Sequence, residues 1–117
     1  MPITTIYDPG SVVLIPFPFT SLNAAKKRPA VVMSRRSYQA ATHDIILAAV
    51  TSQRHEGPGD VALRHWSEAG LLKPSYLRAG KLVTVHESLI LKKLGQLTPD
   101  DWYGVLEQLR QVLADEP

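Results

Sequence analysis

The sequence contains no cysteine. Disulfide bonds and thiolate chemistry are therefore excluded, and the composition is compatible with a reducing cytoplasm. No stretch approaches the ~20 consecutive apolar residues of a membrane-spanning helix. Residues 1–10 lack both the basic and the apolar region of a secretory signal. We therefore expect a cytoplasmic protein that does not contact a membrane.

Several kinds of functional site are also missing from the sequence. It has no Gly-rich phosphate loop, no nucleophile elbow and no Cys/His pair. The histidines His43, His65 and His86 do not show the spacing of zinc ligands on one helix. The sequence therefore predicts neither a bound metal nor a cofactor.

The length and charge of the chain set the next limits. Its 117 residues, 44% of them hydrophobic, predict a single domain over residues 1–117. The net charge of +2 is unevenly distributed. Residues 26–54 carry six Lys or Arg against one Asp, a net +5, whereas residues 98–117 carry one Arg against five acidic residues, a net −4. A basic front half suits a polyanionic ligand if folding gathers these charges on one surface.

The stretch from residue 9 to residue 34 organises the chain. Two β-rich apolar runs, residues 12–17 and 30–33, flank a loop that ends in Lys26-Lys27-Arg28-Pro29. Proline favours an extended backbone at the preceding residue, so we expect Arg28 to stand at the mouth of the second strand, with both lysines on the loop. A guanidinium held in this way can form two hydrogen bonds with a phosphate. The alternative is a solvated hairpin tip with no ligand.

The rest of the pattern predicts short strands and few helices. Strands are predicted at residues 11–17, 30–34, 44–51, 60–63 and 76–85, the last with a break at Gly80. The 44–51 strand is almost entirely apolar and should be buried on both faces. Residues 35–43 are read as a polar connection and residues 87–93 as a short helix. A long final helix should start at Thr98 as N-cap, with Asp101 bonding back to the cap. This pattern favours a small, mainly β barrel with appended helices.

Five motifs occur in an order that is typical of one family. They are Gly10-Ser11-Val12-Val13-Leu14, Arg28-Pro29-Ala30-Val31-Val32, Ile45-Ile46-Leu47-Ala48-Ala49-Val50-Thr51-Ser52, Lys81-Leu82-Val83-Thr84-Val85 and Lys93-Leu94-Gly95-Gln96-Leu97. Together the motifs resemble the MazF/PemK family of toxin endoribonucleases, over about residues 10–113. Ser11 stands where the family usually has Asp, and Gly80 and Lys81 stand near a position that is acidic in several relatives.

The resemblance implies an SH3-like barrel and a homodimer. It also implies the toxin of a type II toxin–antitoxin pair, with a cognate antitoxin as partner. The implied activity is sequence-specific, metal-independent cleavage of single-stranded mRNA. Because one fold can host several functions, two alternatives stay open. One is a non-enzymatic inhibitor of the same fold, such as a gyrase poison, and the other is a barrel that binds nucleic acid without cutting it.

If the 2′-OH of the RNA attacks the adjacent phosphorus, particular residues of the toxin would have defined catalytic roles. The reaction needs a base near the 2′-OH, positive charge at the phosphorus and a proton donor for the leaving 5′-oxygen. Arg28 is the candidate for the charge and Thr51 for a hydrogen bond to a phosphate oxygen, although Thr51 could also be an ordinary strand residue. His55 is the best candidate for the base, because imidazole titrates near neutral pH, although a surface histidine is the simpler interpretation.

The remaining candidates would bind RNA. Lys26 and Lys27 would attract phosphates, Ser52 would assist Thr51, and Arg78 lies where some relatives have a second catalytic arginine. Phe17 and Phe19 could stack on unpaired bases, or cover the end of the barrel.

Overall fold

Six antiparallel strands form one sheet in the computed structural model, which describes residues 5–17 and 26–117. The strands are β1 (Ser11–Phe17), β2 (Lys26–Val32), β3 (Asp44–Thr51), β4 (Asp60–Ala62), β5 (Tyr76–His86) and β6 (Lys92–Gln96). Their order across the sheet is β4-β5-β3-β2-β1-β6. Helix α1 spans Arg36–Thr42, a 3₁₀ turn spans Glu87–Leu89, and helix α2 spans Pro99–Val112. The prediction of a mainly β protein with a final long helix is confirmed.

The sheet is open, so the prediction of a closed barrel is wrong. Within the described residues, the outer strands β4 and β6 do not pair with each other. The turn that contains Ala69 and Gly70 packs directly on β6 instead. A Cβ atom on Gly70 would collide with the backbone of Leu94, and one on Gly95 would collide with the carbonyl of Ala69. The segment between β4 and β5 therefore reaches β6 by close backbone packing and not by strand pairing.

Successive side chains of each strand point to opposite faces of the sheet, and both faces carry a buried apolar cluster. The helix face carries Val12, Val31, Ala48, Val50 and Leu77, which form one cluster with Val105 of α2 and with Leu63, Ala69 and Leu71. The opposite face carries Val13, Ile15, Ala30, Val32, Ile45, Leu47 and Val85. Side chains two residues apart in a strand share a face, so these clusters show on which face each further strand residue lies. β3 contributes to both clusters, as predicted, although Ala49 is exposed.

Helix α2 begins as predicted, but one of its contacts differs. Thr98 is the N-cap, and its hydroxyl accepts the N–H of Asp101 at 3.4 Å. The Asp101 carboxylate does not bond back to the cap; it accepts the N–H groups of Arg64 and His65, both at 2.9 Å. This buried carboxylate therefore ties the segment after β4 to the start of α2. The apolar stripe of α2 packs on the helix face through Val105, Trp102, Leu109 and Val112.

Three elements differ from the sequence-based prediction. β2 starts at Lys26 and not at residue 30, because Lys26, Lys27 and Arg28 pair with Phe17, Pro16 and Ile15 across the hairpin. Helix α1 replaces the predicted polar connection. The buried residue of α1 is Gln39, whose side-chain amide bonds to the backbone of Tyr7 and Ser34, so no apolar period marked this helix. Residues 92–96 form β6 instead of ending a helix, since they pair with β1.

Candidate functional site

Strand register brings Arg28 and Thr51 together. Ala30 of β2 pairs with Ala49 of β3, and moving two residues along each strand reaches Arg28 and Thr51. Both residues therefore lie on the opposite face, beyond its buried cluster. They line one cavity of about 400 Å³. Arg28 is exposed, and Thr51 is half-buried.

Phe17 supports the guanidinium of Arg28. Ile15 pairs with Arg28, and Phe17 follows two residues later on the same face of β1. The guanidinium carbon lies 4.7 Å from the centroid of the Phe17 ring. A cation held on an aromatic face gains about 0.5–1 kcal/mol at an exposed site, and it loses orientational freedom. The structure shows this contact of Phe17 with Arg28, and the stacking of Phe17 on RNA bases stays a prediction. Phe19 lies outside the described residues.

The strand position of the basic run corrects the sequence-based picture. Arg28 lies inside β2 and not at its mouth, and Lys26 and Lys27 belong to the same strand. The prediction that the two lysines lie on a loop is therefore wrong. All three side chains are exposed. The backbone of Arg28 is fixed by pairing with Ile15, in addition to the restriction by Pro29.

The Thr51 hydroxyl has a defined orientation. Its oxygen accepts the backbone N–H of Gln53 at 3.1 Å, which closes a local turn at the end of β3. A hydroxyl that accepts one hydrogen bond still carries its own proton, which it can donate to a phosphate oxygen. Ser52 is exposed and lines the adjoining larger cavity, which Thr51 also lines, so its role as an assistant to Thr51 stays a prediction.

Arg78 reaches the same cavity from β5 and is paired with a carboxylate. It lies opposite Ala49 of β3 on one side and opposite Asp60 of β4 on the other. Its Nε lies 3.3 Å from Oδ1 of Asp60, whose side chain is only 7% exposed. Oδ2 of Asp60 accepts the N–H of Gly57 at 2.9 Å. The sequence analysis missed Asp60, since nothing local to its Gly-Pro-Gly-Asp turn indicates that it faces Arg78.

A β-bulge shapes the wall beside Arg78. Ala48 pairs with Leu82, but the next residue, Ala49, pairs with Arg78, so residues 79–81 bulge from β5. The predicted break at Gly80 is thus a bulge within one continuous strand. Bulges often re-aim side chains beside functional sites. Lys81 and Leu82 line the cavity here, and His55 lines it from the loop after β3. His55 is half-buried, and its role as a base stays a prediction.

A second cavity of about 720 Å³ adjoins the first. Arg28, Val50 and Thr51 line both cavities, so Arg28 stands between them. The larger cavity is also lined by Lys26, Lys27, Lys73 and Lys92, and no Asp or Glu occurs among the described residues around it. Its electrostatics favour an anionic ligand. Lys73 and Lys92 were not predicted, because the loop after β4 and strand β6 bring them here from distant parts of the sequence.

Not all of the basic residues gather at these cavities. Arg36 of α1 bonds to the carboxylate of Asp8 at 3.1 Å and to the carbonyl of Ile6. Arg54 pairs with Glu56 at 2.7 Å, and both side chains are exposed. The excess positive charge of residues 26–54 is therefore split, with only its first three cations lining the larger cavity.

Comparison with known proteins identifies the family. A family model described as "PemK-like, MazF-like toxin of type II toxin-antitoxin system" matches residues 8–113. The chain belongs to this toxin family. No curated protein sequence shows significant similarity to it.

Solved structures of MazF proteins share the fold. The structure of MazE–MazF from Deinococcus radiodurans gives a TM-score of 0.75 at 22% identity, and covers 96% of this chain and 99% of that chain. An endoribonuclease from a mycobacterial species gives 0.73 at 18% identity, covering 92% and 91%. The Mycobacterium tuberculosis toxin MazF-mt6 gives 0.70 at 15% identity, covering 85% and 91%. At these identities the likeness shows a common fold.

The family motifs of this PemK/MazF-like chain map onto the sheet that carries the site. The first two motifs form the hairpin of β1 and β2, and the third forms β3 up to Thr51. Within the described residues, no group of three or more His, Asp or Glu side chains is arranged to hold a metal ion. Among the described helices, none is long and apolar enough to cross a membrane.

Proposed function

We propose that this PemK/MazF-family toxin is a metal-independent endoribonuclease that cleaves single-stranded mRNA at specific sequences. The observation that supports it best is the meeting of Arg28, Thr51 and Arg78 around one cavity on the same face of the sheet. Two arginines and a hydroxyl donor there match the charge that develops on a phosphate during cleavage. We also propose that the enzyme acts in the cytoplasm, since its substrate is mRNA.

The proposed reaction uses the 2′-OH of the RNA as the nucleophile. The 2′-oxygen forms a bond to the adjacent phosphorus, and its proton passes to a base, for which His55 is the candidate. The bond from phosphorus to the 5′-oxygen breaks, and that oxygen takes up a proton. The products are a 2′,3′-cyclic phosphate and a 5′-hydroxyl. Arg28 and Arg78 stabilise the charge on the phosphorane, and Thr51 donates to one of its oxygens.

A cleavage assay in EDTA tests this function. Single-stranded RNA of mixed sequence should be cut at a few defined sites, and the same strand in a duplex should stay intact. Sequence reading in RNA requires unstacked bases whose edges are accessible, so duplex RNA is a matched control. Tight binding without any cut would contradict the nuclease and favour a nucleic-acid-binding protein of the same fold.

We expect the toxin to be a homodimer with two-fold symmetry. The apolar stripe of the final helix and the family resemblance both led to this expectation. The stripe of α2 packs in the protein's own core, so the expectation now rests on the resemblance. The interface must then use other apolar surface. An isologous interface is the commonest way to cover such a surface. Light scattering at micromolar concentration should give twice the mass of 12.9 kDa. A monomer mass would contradict this expectation.

We further propose that a cognate antitoxin inhibits the toxin by covering the larger cavity. Several of the similar structures hold two proteins, for example MazE–MazF from Deinococcus radiodurans and an endoribonuclease in complex with its cognate antitoxin from a mycobacterial species. The cations Lys26, Lys27, Lys73 and Lys92 around the cavity suit an acidic segment that folds on binding. The antitoxin should compete with single-stranded RNA in a binding assay. Lys27→Ala should weaken the binding of the antitoxin and the binding of RNA. An antitoxin that binds tightly but leaves RNA cleavage unchanged would contradict the competitive arrangement.

A further inference from the structure

Asp60 is a nearly buried carboxylate beside the candidate site. It is the first residue of β4 and pairs with Arg78 of β5. Its side chain is 7% exposed, whereas Asp8 and Glu56, which form the other Arg–carboxylate pairs among the described residues, are each 62% exposed. Burial of a charged group is strongly unfavourable unless the group is paired and hydrogen-bonded. Asp60 meets this requirement through Nε of Arg78 at 3.3 Å and the N–H of Gly57 at 2.9 Å.

The backbone around Asp60 fixes its carboxylate further. The N–H of Asp60 donates to the carbonyl of Gly57 at 3.0 Å, while Oδ2 of Asp60 accepts the N–H of Gly57. The two residues are therefore joined by reciprocal hydrogen bonds in a tight turn. The next glycine, Gly59, is held as well, because its carbonyl accepts the N–H of Ala79 at 2.8 Å. The carboxylate thus stands on a backbone that is anchored to β5 on either side of Arg78.

Arg78 needs this support because of its position. It lies next to the bulge at residues 79–81, where the regular β3–β5 pairing is interrupted. A long arginine side chain has many rotamers, and fixing it in one of them costs conformational entropy. The contact with Asp60 uses Nε of Arg78. The two terminal nitrogens of the same guanidinium can then donate to a ligand in the smaller cavity, which Arg78 also lines. Arg28, the other arginine of that cavity, is held by the Phe17 ring instead.

We propose that Asp60 is a positioning residue, which holds the guanidinium of Arg78 at the cavity in the geometry that phosphate stabilisation requires. The inference rests on the proposed nuclease function and adds to it a residue that acts through Arg78. The carboxylate comes from the neighbouring strand, because Asp60 of β4 pairs with Arg78 of β5. Misplacement of a catalytic group by about 1 Å can reduce a rate by up to about 10²-fold.

The experiment is a double-mutant cycle of Asp60→Asn and Arg78→Ala, read by single-turnover RNA cleavage at saturating RNA. Asp60→Asn keeps the shape and an acceptor for the Gly57 N–H, but it removes the charge that holds Arg78. We expect a rate loss of about tenfold for Asp60→Asn in the wild-type background and no further loss in the Arg78→Ala background. The proposal would be overturned if Asp60→Asn cleaved RNA at the wild-type rate. It would also be overturned if Asp60→Asn lowered the rate about tenfold in the Arg78→Ala background as well.

Two further measurements separate positioning from folding. Asp8→Asn makes the same isosteric change in the exposed Asp8–Arg36 ion pair, so it should leave the rate unchanged. The NMR signal of the Arg78 Nε–H should exchange slowly with water in the wild-type protein and rapidly in Asp60→Asn. If wild-type protein leaves RNA intact, the proposed function fails, and this signal still decides whether Asp60 holds Arg78. Equal exchange in the two proteins would overturn the positioning role.

Arg78→Lys provides a second variant if Asp60→Asn does not fold. The lysine keeps the positive charge beside Asp60 but cannot bond to the carboxylate and present a guanidinium to the cavity at once. We expect a rate loss of about tenfold with the unfolding temperature little changed. Cleavage at the wild-type rate would show that the geometry of the Arg78 side chain does not matter, and would overturn the proposal.

Discussion

Arg28→Ala is expected to lower the single-turnover rate of RNA cleavage by about 10²-fold or more at saturating RNA. The backbone of Arg28 is fixed by β2 pairing, and its guanidinium lies on the Phe17 ring between the two cavities. A cation held in this way is directed at charge that appears in the transition state, so its loss should affect the chemical step more than RNA binding. Arg28→Lys should restore little activity, because a single ammonium cannot form two parallel hydrogen bonds with a phosphate.

Lys26→Ala and Lys27→Ala are the matched controls for Arg28→Ala. The two lysines belong to the same exposed run of β2, but they line only the larger cavity. Each substitution should weaken RNA binding and reduce its salt dependence, with the rate at saturation nearly unchanged. Circular dichroism should show that all the variants fold. A folded Arg28→Ala variant that cleaves at the wild-type rate would mean that Arg28 is a surface charge and that the nuclease site lies elsewhere.

Replacing the single ribose on the 5′ side of the cut by deoxyribose is expected to abolish cleavage at that bond. The proposed reaction has no other nucleophile, because the 2′-oxygen itself attacks the phosphorus. Binding of the substituted strand should be almost unchanged, because the phosphates and bases that the toxin contacts are all still present. Cleavage of the all-ribose RNA and of the substituted RNA should be compared on a gel, and the binding of each should be measured by fluorescence anisotropy.

A strand with the same substitution one nucleotide away serves as the control for this experiment. It has an identical composition and retains the 2′-OH at the cut, so it should be cleaved at nearly the normal rate. Cleavage of the first strand at its original bond would contradict attack by the 2′-OH and would require an external nucleophile such as water.

The sequence predicted best those strands whose pattern is local. β1 and β3 were predicted with the boundaries that the structure shows, because both are continuous runs rich in Val, Ile and Leu. The start of α2 was equally clear, because Thr98 and Pro99 specify a helix N-terminus by themselves. In these elements the residues that determine the structure are neighbours in the chain.

Elements that depend on distant partners were missed or misplaced. The polar residues Lys26 and Lys27 extend β2 only because β1 lies beside them. The buried residue of α1 is polar: the side-chain amide of Gln39 forms hydrogen bonds with the backbone of Tyr7. The sequence therefore shows no apolar pattern that predicts this helix. The open sheet also depends on a distant contact, since the Ala69–Gly70 turn packs on β6 where a closed barrel would need strand pairing.

The residues of the candidate site also fall into those that the sequence predicted and those that it missed. Thr51 and Arg78 were identified through the family resemblance, Arg28 also through its place before Pro29, and His55 through the chemistry of imidazole. The structure brings all four to one cavity, where their roles remain predictions. Asp60 was missed, because its pairing with Arg78 across 18 residues is a property of the sheet and not of any short motif. Lys73 and Lys92 were missed for the same reason, since folding alone brings them to the larger cavity.

The chemical ends of the RNA products test the central claim most directly. Single-stranded RNA should be incubated with wild-type toxin in EDTA, and the fragments analysed by mass spectrometry. Attack by the 2′-OH without a metal predicts a 2′,3′-cyclic phosphate on the upstream fragment and a 5′-hydroxyl on the downstream fragment. Fragments with a 3′-hydroxyl and a 5′-phosphate, or cleavage only after a divalent metal is added, would contradict the account.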